Sequence, residues 1–390
     1  MRSVGLDLGT RKIALCEVEG GKVIRRATVE SVKELEPLLG PGSGPARVAF
    51  EASRSAWAVH AELCGWGHDV KMIDTTRVKQ IGIGQHGKKN DAIDAECLAM
   101  AVEKGQVPEA HVLSVRRQRL RHLMMSRRAL VETRTTMVTT IRGIATSEGV
   151  RLARCEPENF VAMLKRQELP ATLTAMVMPL AEVVATVERQ LCELDARVYE
   201  ACADERAAQC MMTVPGVGAV VAGMFLSVID DAKRFRSARQ VTSYLGLVPR
   251  ENSSGTTGQR LGSITKQGNR YLRALLIQAA WHMVRQKNTD NPLAFWGLSV
   301  AARRGRKIAV VAVARRLAAI LWALWRRGVA YDPAHVAQLS AAGLDLSAEV
   351  QASQAEGFRR VEAKVKLGTS VLKRRTKNAD AIRSTTMSTA

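Results

Sequence analysis

None of the seven cysteines (Cys16, Cys64, Cys97, Cys155, Cys192, Cys202 and Cys210) stands in a CxxC pair. That argues against a structural zinc site and a disulfide framework, and for a chain made in a reducing cytoplasm. A long uncharged apolar run is missing too. A bilayer-spanning helix needs about 20 apolar residues. The most apolar helical stretch, KIAVVAVARRLAAILWALWRRG (307–328), is interrupted by Arg315 and Arg316. It reads as a core helix with a basic face, and no membrane partner is expected. The opening MRSVGLDLGTRKIALCEVEG carries Asp7 inside its apolar run, which excludes a signal peptide.

Acidic residues are scarce in one part of the chain only. Residues 1–110 hold 15 basic and 15 acidic side chains, whereas 111–390 hold 43 and 22, so the formal charge of +21 falls entirely on the second part. A neutral domain followed by a basic one implies a polyanion partner. The basic residues are spread over several elements rather than along one amphipathic helix, which favours nucleic acid over a membrane surface. With 390 residues, 46% of them hydrophobic, the chain can build two or three domains.

The beginning of the chain reads as α/β. Residues 2–8, 12–19 and 22–30 are expected as three strands, with Gly20-Gly21 as a tight hairpin turn. VKELEPLL reads as helical and GPGSGP (40–45) as a loop. ARVAFEA (46–52) is a buried strand ending at Glu51, AWAVHAELCGWG a helix stopped by glycines, and HDVKMID another strand. Antiparallel strands followed by strands alternating with helices form the ribonuclease H-like pattern. From about residue 114 the texture changes. One long helix, with apolar residues at 120, 123, 124, 130, 131, 137, 138, 141 and 144, is followed by a second over 180–209, and the two are expected to pair as an antiparallel coiled coil. A mainly helical, Gly- and Arg-rich region follows. The tail, with the basic cluster KLGTSVLKRRTK, is expected to lack a fixed fold on its own. The expected domains are 1–112, 113–208, 209–335 and 336–390.

Four carboxylates stand where phosphodiester chemistry would need them. Asp7 lies on the first strand, Glu51 ends a later one, and Asp91 and Asp94 share one face of a helix starting near Asn90, which could cap it. Singly, each has a plainer reading: a turn residue, a strand-end surface charge, an acidic helix start favoured by the dipole. Together, burial of such a set is costly without a cation. Oxygen ligands of this type suit Mg²⁺, and two such ions about 3.5–4 Å apart can clamp both sides of a phosphodiester. LDLGT alone also resembles the first phosphate loop of actin-like ATPases, but the second phosphate loop and the adenosine motif of those enzymes are absent.

In the basic part, TVPGVGAVVAGMFLSVI (213–229) opens a helix through Gly216 and Gly218. Such a glycine turn exposes backbone N–H groups and resembles a helix-hairpin-helix phosphate cradle; an ordinary helix-helix turn has the same look. Then comes YLGLVPRENSSGTTGQRLGSITKQGNRYLR (244–273), where Ser253 and Ser254 lie between Arg250 and Arg260, with Lys266, Arg270 and Arg273 at roughly helical spacing behind them. A serine among clustered cations can attack a phosphodiester, because the cations stabilise the developing charge. On the long helix, Arg116, Arg119, Arg121, Arg127, Arg128 and Arg134 read either as phosphate contacts or as a solvated helix face, and Lys89 precedes the acidic pair.

KNDAIDAE, YLGLVPRENSSG and RLGSITKQGNRYLR, taken with the four carboxylates in this order, resemble the DEDD insertion-sequence transposases, bacterial recombinases guided by a bridge RNA. The likeness runs to about residue 330, and the motif wording is nearest to the subgroup that inserts into structured repeats or attachment sites. It implies a RuvC-like domain, a coiled coil and a serine-bearing transposase domain in a bacterial cytoplasmic protein. It further implies that Asp7, Glu51, Asp91 and Asp94 hold Mg²⁺, and that Ser254, or its neighbour Ser253, forms a covalent link to DNA. A dimer would assemble to a tetramer, with donor DNA, target DNA and the bridge RNA as partners. Gly255 and Gly258 would let Ser254 swing towards a scissile phosphate. A junction nuclease using metal-bound water and a non-catalytic nucleic-acid-binding protein are the alternatives.

Overall fold

The computed structural model describes residues 1–75, 77, 90–251, 261–285 and 291–334. Lys89, Ser253, Ser254, Arg260 and the tail 336–390 lie outside the described residues. The chain divides into two compact units, Met1–Leu113 and the part from Ser114 on.

The first unit is a mixed sheet with helices on its faces. Strands β1 (Ser3–Leu8), β2 (Ile13–Glu19) and β3 (Lys22–Val29) form an antiparallel meander. Gly20 and Gly21 both take the left-handed φ, 60° and 76°, that a two-residue hairpin turn requires. After the short helix α1 (Glu36–Leu39), strand β4 (Arg47–Glu51) pairs parallel to β1. Helix α2 (Ala56–Gly65) leads to β5 (Asp69–Ile73), parallel to β4, and the strand order is β3-β2-β1-β4-β5. One sheet face buries Val4, Leu6, Leu15, Val48 and Phe50 against Leu35, Leu39, Val59 and Leu63. The other face meets α3 (Asp91–Glu103) through Ala95, Leu98, Ala99 and Val102.

Gly5 explains how closely α3 lies. A Cβ there would stand 2.0 Å from the Ala95 carbonyl oxygen and 2.5 Å from the Ala99 nitrogen. His68 fixes the far edge of the sheet: its Nδ1 accepts from the Ala46 N–H, so Nε2 carries the proton given to the Leu39 carbonyl.

The second unit is helical. Helices α4 (Val115–Ser147) and α6 (Ala171–Ala203) run antiparallel. Arg127 pairs with Asp195, and Arg134 with Glu188 at 2.6 Å, so residues advance on one helix as they recede on the other. At the far end Ile141, Ala145, Leu173, Val177, Ala181 and Val184 form a separate small core with Phe160 of α5 (Phe160–Arg166). At the near end Leu120, Met124, Val198 and Cys202 join the main core, made with α7 (Arg206–Met212), α8 (Ala219–Ile229) and α9 (Ala238–Tyr244). A two-stranded ribbon, β6 (Pro249–Glu251) and β7 (Leu261–Ile264), follows. Then come α10 (Arg270–Arg285), α11 (Pro292–Arg304) and α12 (Arg306–Arg327). Every residue of α8 but Val220 is buried, and Gly223 lets Cys202, Met124 and Val198 approach it.

One expectation is corrected. The second long helix starts at Ala171, not at 180, and ends at Ala203 before the separate α7. It runs through Pro179, although an interior proline forfeits a hydrogen bond, because Leu173, Val177, Ala181 and Val184 continue one apolar stripe against α4. By length and composition alone α6 and α12 could each cross a bilayer, but α12 is the core helix that the sequence suggested. Inside the chain both stripes are covered, α12 burying Val310, Val313, Ala314, Leu317 and Leu321.

Replacing Gly5 by alanine is expected to destabilise the first unit by about 2–3 kcal/mol, since helix backbone rather than a yielding side chain meets the new methyl. Urea unfolding of the variant against the parent checks this.

Candidate functional site

Two clusters of sequence-marked residues can be placed. The first lies at one end of the sheet. In the parallel pairing of β1 with β4, Leu6 is opposite Phe50, so the next residues along the two strands are Asp7 and Glu51. Side chains alternate along a strand, and Gly5 and Ala49 face α3. Asp7 and Glu51, two residues on, face the same side. The direction of α3 follows from two contacts. Glu103 at its end accepts from the Gly21 N–H at 3.1 Å, and Gly21 lies beyond β2 near the start of β1. Glu96, near its middle, pairs with Arg26, which is level with Cys16 and hence with Gly5. The first turn of α3 therefore lies towards the end of β1 that carries Asp7.

That turn holds the other two carboxylates. Asn90 caps it, its Oδ1 accepting from the Ala92 N–H at 3.0 Å. Asp94 is half-buried and Asp91 exposed. Asp7 and Glu51 are also half-buried, and each, like Asp94, has a polar partner. The four thus share one end of the first unit. Among the described residues, however, no three His, Cys, Asp or Glu side chains converge closely enough to hold a metal ion. The donors fit a hard divalent cation by chemistry, since all are carboxylate oxygens.

The second cluster is the frame of the serine segment. Ribbon β6–β7 carries residues 252–260 between its strands, and its base is an interlock of two glycines. Gly246 (φ 69°) and Gly268 (φ 83°) approach each other's segment. A Cβ on Gly246 would stand 1.9 Å from the Gln267 carbonyl oxygen, and one on Gly268 2.1 Å from that of Tyr244. The Lys266 N–H donates to the Gly246 carbonyl at 3.1 Å. Arg273 is buried and donates to the carbonyls of Leu245 (3.2 Å) and Gln267 (2.7 Å), and burial, then the charge of Arg270, lowers its pKa. Asn269 accepts from the Leu272 N–H at 2.9 Å and starts α10.

This changes the picture of the cations behind the serines. Arg270 opens α10, Lys266 lies before the helix in a left-handed conformation (φ 58°), and Arg273 is turned inward as a brace. Arg250 remains exposed, donating to the Thr265 carbonyl. The two glycines and Asn269 escaped the sequence reading. Gly after Tyr-Leu and after Lys-Gln was a signal for left-handed backbone.

On α4 the arginines divide. Arg127 and Arg134 are tied to α6. Arg128 pairs with Glu132 and lies 5.2 Å over the Tyr271 ring. Arg116 reaches Glu205 at 2.8 Å yet stays exposed, as does Arg119. Gly216 (φ 82°) and Gly218 are exposed at the start of α8. Asp230 steadies the start of α4, accepting from the N–H and Oγ of Ser114 at 3.2 and 2.6 Å.

Comparison with known proteins adds the following. Residues 4–147 match a family model for DEDD transposases of the IS110 type, described as "Transposase", and residues 208–295 match one described as "Transposase IS116/IS110/IS902 family". The chain is 32% identical to a probable family 20 transposase of Pseudomonas aeruginosa, over 74% of this chain and 86% of that protein. It is 30% identical to the transposase for insertion sequence element IS1111A of Coxiella burnetii, over 85% and 91%. To the transposase for IS1328 of Yersinia enterocolitica it is 27% identical, over 84% and 98%.

The glycine interlock yields a direct test. Gly246→Ala and Gly268→Ala should each cost about 2–4 kcal/mol, combining left-handed strain with backbone overlap. Gly218→Ala, with open space around it, should cost about 1 kcal/mol or less. Urea denaturation of the three variants gives the comparison.

Proposed function

The chain belongs to the IS116/IS110/IS902 family of transposases, and from that premise we propose that it cleaves and rejoins DNA strands through a serine nucleophile assisted by four carboxylates. Transposases act on DNA, and the DEDD domain implies a divalent metal. The observation that carries the reading is the alignment of Asp7 with Glu51 at neighbouring strand ends, towards which the acidic first turn of α3 points.

In this reading Asp7, Glu51, Asp91 and Asp94 hold Mg²⁺. A divalent ion held there would supply Lewis-acid stabilisation of charge developing on the phosphodiester oxygens. Ser254 Oγ attacks the phosphorus, one phosphorus–oxygen bond to deoxyribose breaks, and a free sugar hydroxyl and a phosphoserine result. Attack by a hydroxyl of a second strand restores the phosphodiester and releases the serine. The bond count is conserved, so no external energy source is needed. Arg250, Arg260, Lys266 and Arg270 supply positive charge beside the serine segment, and Lys89, Arg116, Arg119 and Arg128 with the Gly216–Gly218 turn contact phosphates.

The carboxylates belong to the first compact unit and the serine segment to the second. The proposed assembly is a dimer that joins to a tetramer, with the site completed between copies of the chain. The first unit's strand order supports a RuvC-like fold and the antiparallel α4–α6 pair a coiled-coil middle domain. A bridge RNA pairing with donor and target DNA leaves base reading to nucleic acid rather than to side chains.

Ser254→Ala is expected to abolish recombination of a reporter carrying the element's ends, while Ser253→Ala retains it; the reverse pattern would move the nucleophile by one residue. Asp7→Asn and Glu51→Gln should each slow strand cleavage on the order of 100-fold or more, and EDTA should stop it. Undiminished cleavage in EDTA would remove the metal from the mechanism.

A further inference from the structure

The long helical pair ends in a feature that the catalytic reading does not use. Between the end of α4, the segment 151–154 and α5 lies an open groove of about 850 Å³, lined by Arg142, Arg151, Arg154, Arg166, Leu152 and Gln167 among others. A smaller hollow of about 330 Å³ shares Arg142, Arg151 and Leu152 with it. Neither has an acidic or aromatic side chain in its lining.

The groove wall is built rather than loose. Arg142 donates to the carbonyls of Leu152 (3.3 Å) and Ala153 (3.0 Å), and its guanidinium lies 5.1 Å over the Phe160 ring. The Gln167 side-chain amide clasps the same segment from the other side, donating to the Arg151 carbonyl at 3.0 Å and accepting from the Ala153 N–H at 3.2 Å. The segment carrying Arg151 and Arg154 is thus held at its backbone by two helices, while Arg151, Arg154 and Arg166 extend exposed guanidinium groups. The 33-residue α4 is about 50 Å long, so this groove stands far along an arm from the main helical core.

We propose that this groove is a binding site for the phosphodiester backbone of a double-helical nucleic acid. Three guanidinium forks, two on a braced segment and one at the end of α5, match phosphate oxygens and lose little freedom on binding. A duplex presents one negative charge per about 1.7 Å of its axis, enough to engage all three. Without an aromatic ring the lining offers no platform for stacking unpaired bases, which favours backbone contact over single-strand reading. The arm would hold a duplex away from the main helical core and fix its register without selecting its sequence. The proposal rests on the nucleic-acid-acting reading above.

The test uses the full-length chain and two fluorescent probes of mixed sequence, a DNA duplex and an RNA stem-loop, titrated by anisotropy over a range of salt. The variant R151Q/R154Q/R166Q is expected to bind at least one probe more weakly, with the salt slope of log K reduced by about 2–3, the value for three lost phosphate contacts. The probe whose slope falls identifies DNA or RNA as the occupant. Equal slopes for parent and variant on both probes would overturn the proposal while leaving the transposase reading intact. A parent that binds neither probe with salt dependence would overturn both. If the glutamine variant melts early, R151K/R154K/R166K decides: a restored slope supports a charge contact, and an unrestored one overturns it.

Discussion

The first unit depends on one contact, the seat of α3 on β1 at Gly5. Without a side chain there, helix backbone comes within van der Waals range of strand backbone. Everything at the acidic end follows from that seat. The helix runs against the direction of β1, with Glu103 tied near the strand's start and Glu96 tied level with its middle. Its first turn, capped by Asn90, must then lie towards Asp7 and Glu51. Moving the helix outward by one methyl would alter the distance between carboxylates contributed by three different elements. A residue with no side chain and no charge thereby governs where four charges lie.

The second unit solves a related problem with a different device. The serine segment sits on a ribbon of only two short strands, which is marginal alone. Its base is stiffened by Gly246 and Gly268, which let two backbone segments touch, and by Arg273, a cation turned inward to bind two carbonyls. The ribbon is thereby joined to α9 and α10, whose apolar faces belong to the main core. The long pair α4–α6 grows out of that same core and ends in its own, so one unit carries both the serine frame and a reaching arm.

Much of this was legible in the sequence, and what was not has physical causes. The strands could be read because their apolar residues are contiguous and the Gly20-Gly21 turn is local; Asn90 announced α3 in the same way. The start of α6 was hidden because Pro179 is a strong local breaker, and only packing against α4, through residues far along the chain, overrides it. The fate of the arginines was hidden for the same reason. Arg127 and Arg119 look alike in sequence, but Asp195, 68 positions away, claims the first and leaves the second exposed. The four carboxylates were legible as an ordered set, yet their level on the sheet came only from register. The glycine interlock needed backbone angles that no pattern of hydrophobicity encodes.

The central claim is that a serine in this chain becomes covalently joined to DNA. Arg250 and Arg260 make ENSSGTTGQR (251–260) a single tryptic peptide. Incubation of the full-length chain with an element-end DNA that traps the cleaved strand, followed by nuclease and trypsin digestion and mass spectrometry, reads that peptide directly. The account predicts a nucleotide adduct on it, mapped by fragmentation to Ser254. Cleaved DNA accompanied only by the unmodified peptide would contradict the account and show that water, not serine, attacks the phosphodiester.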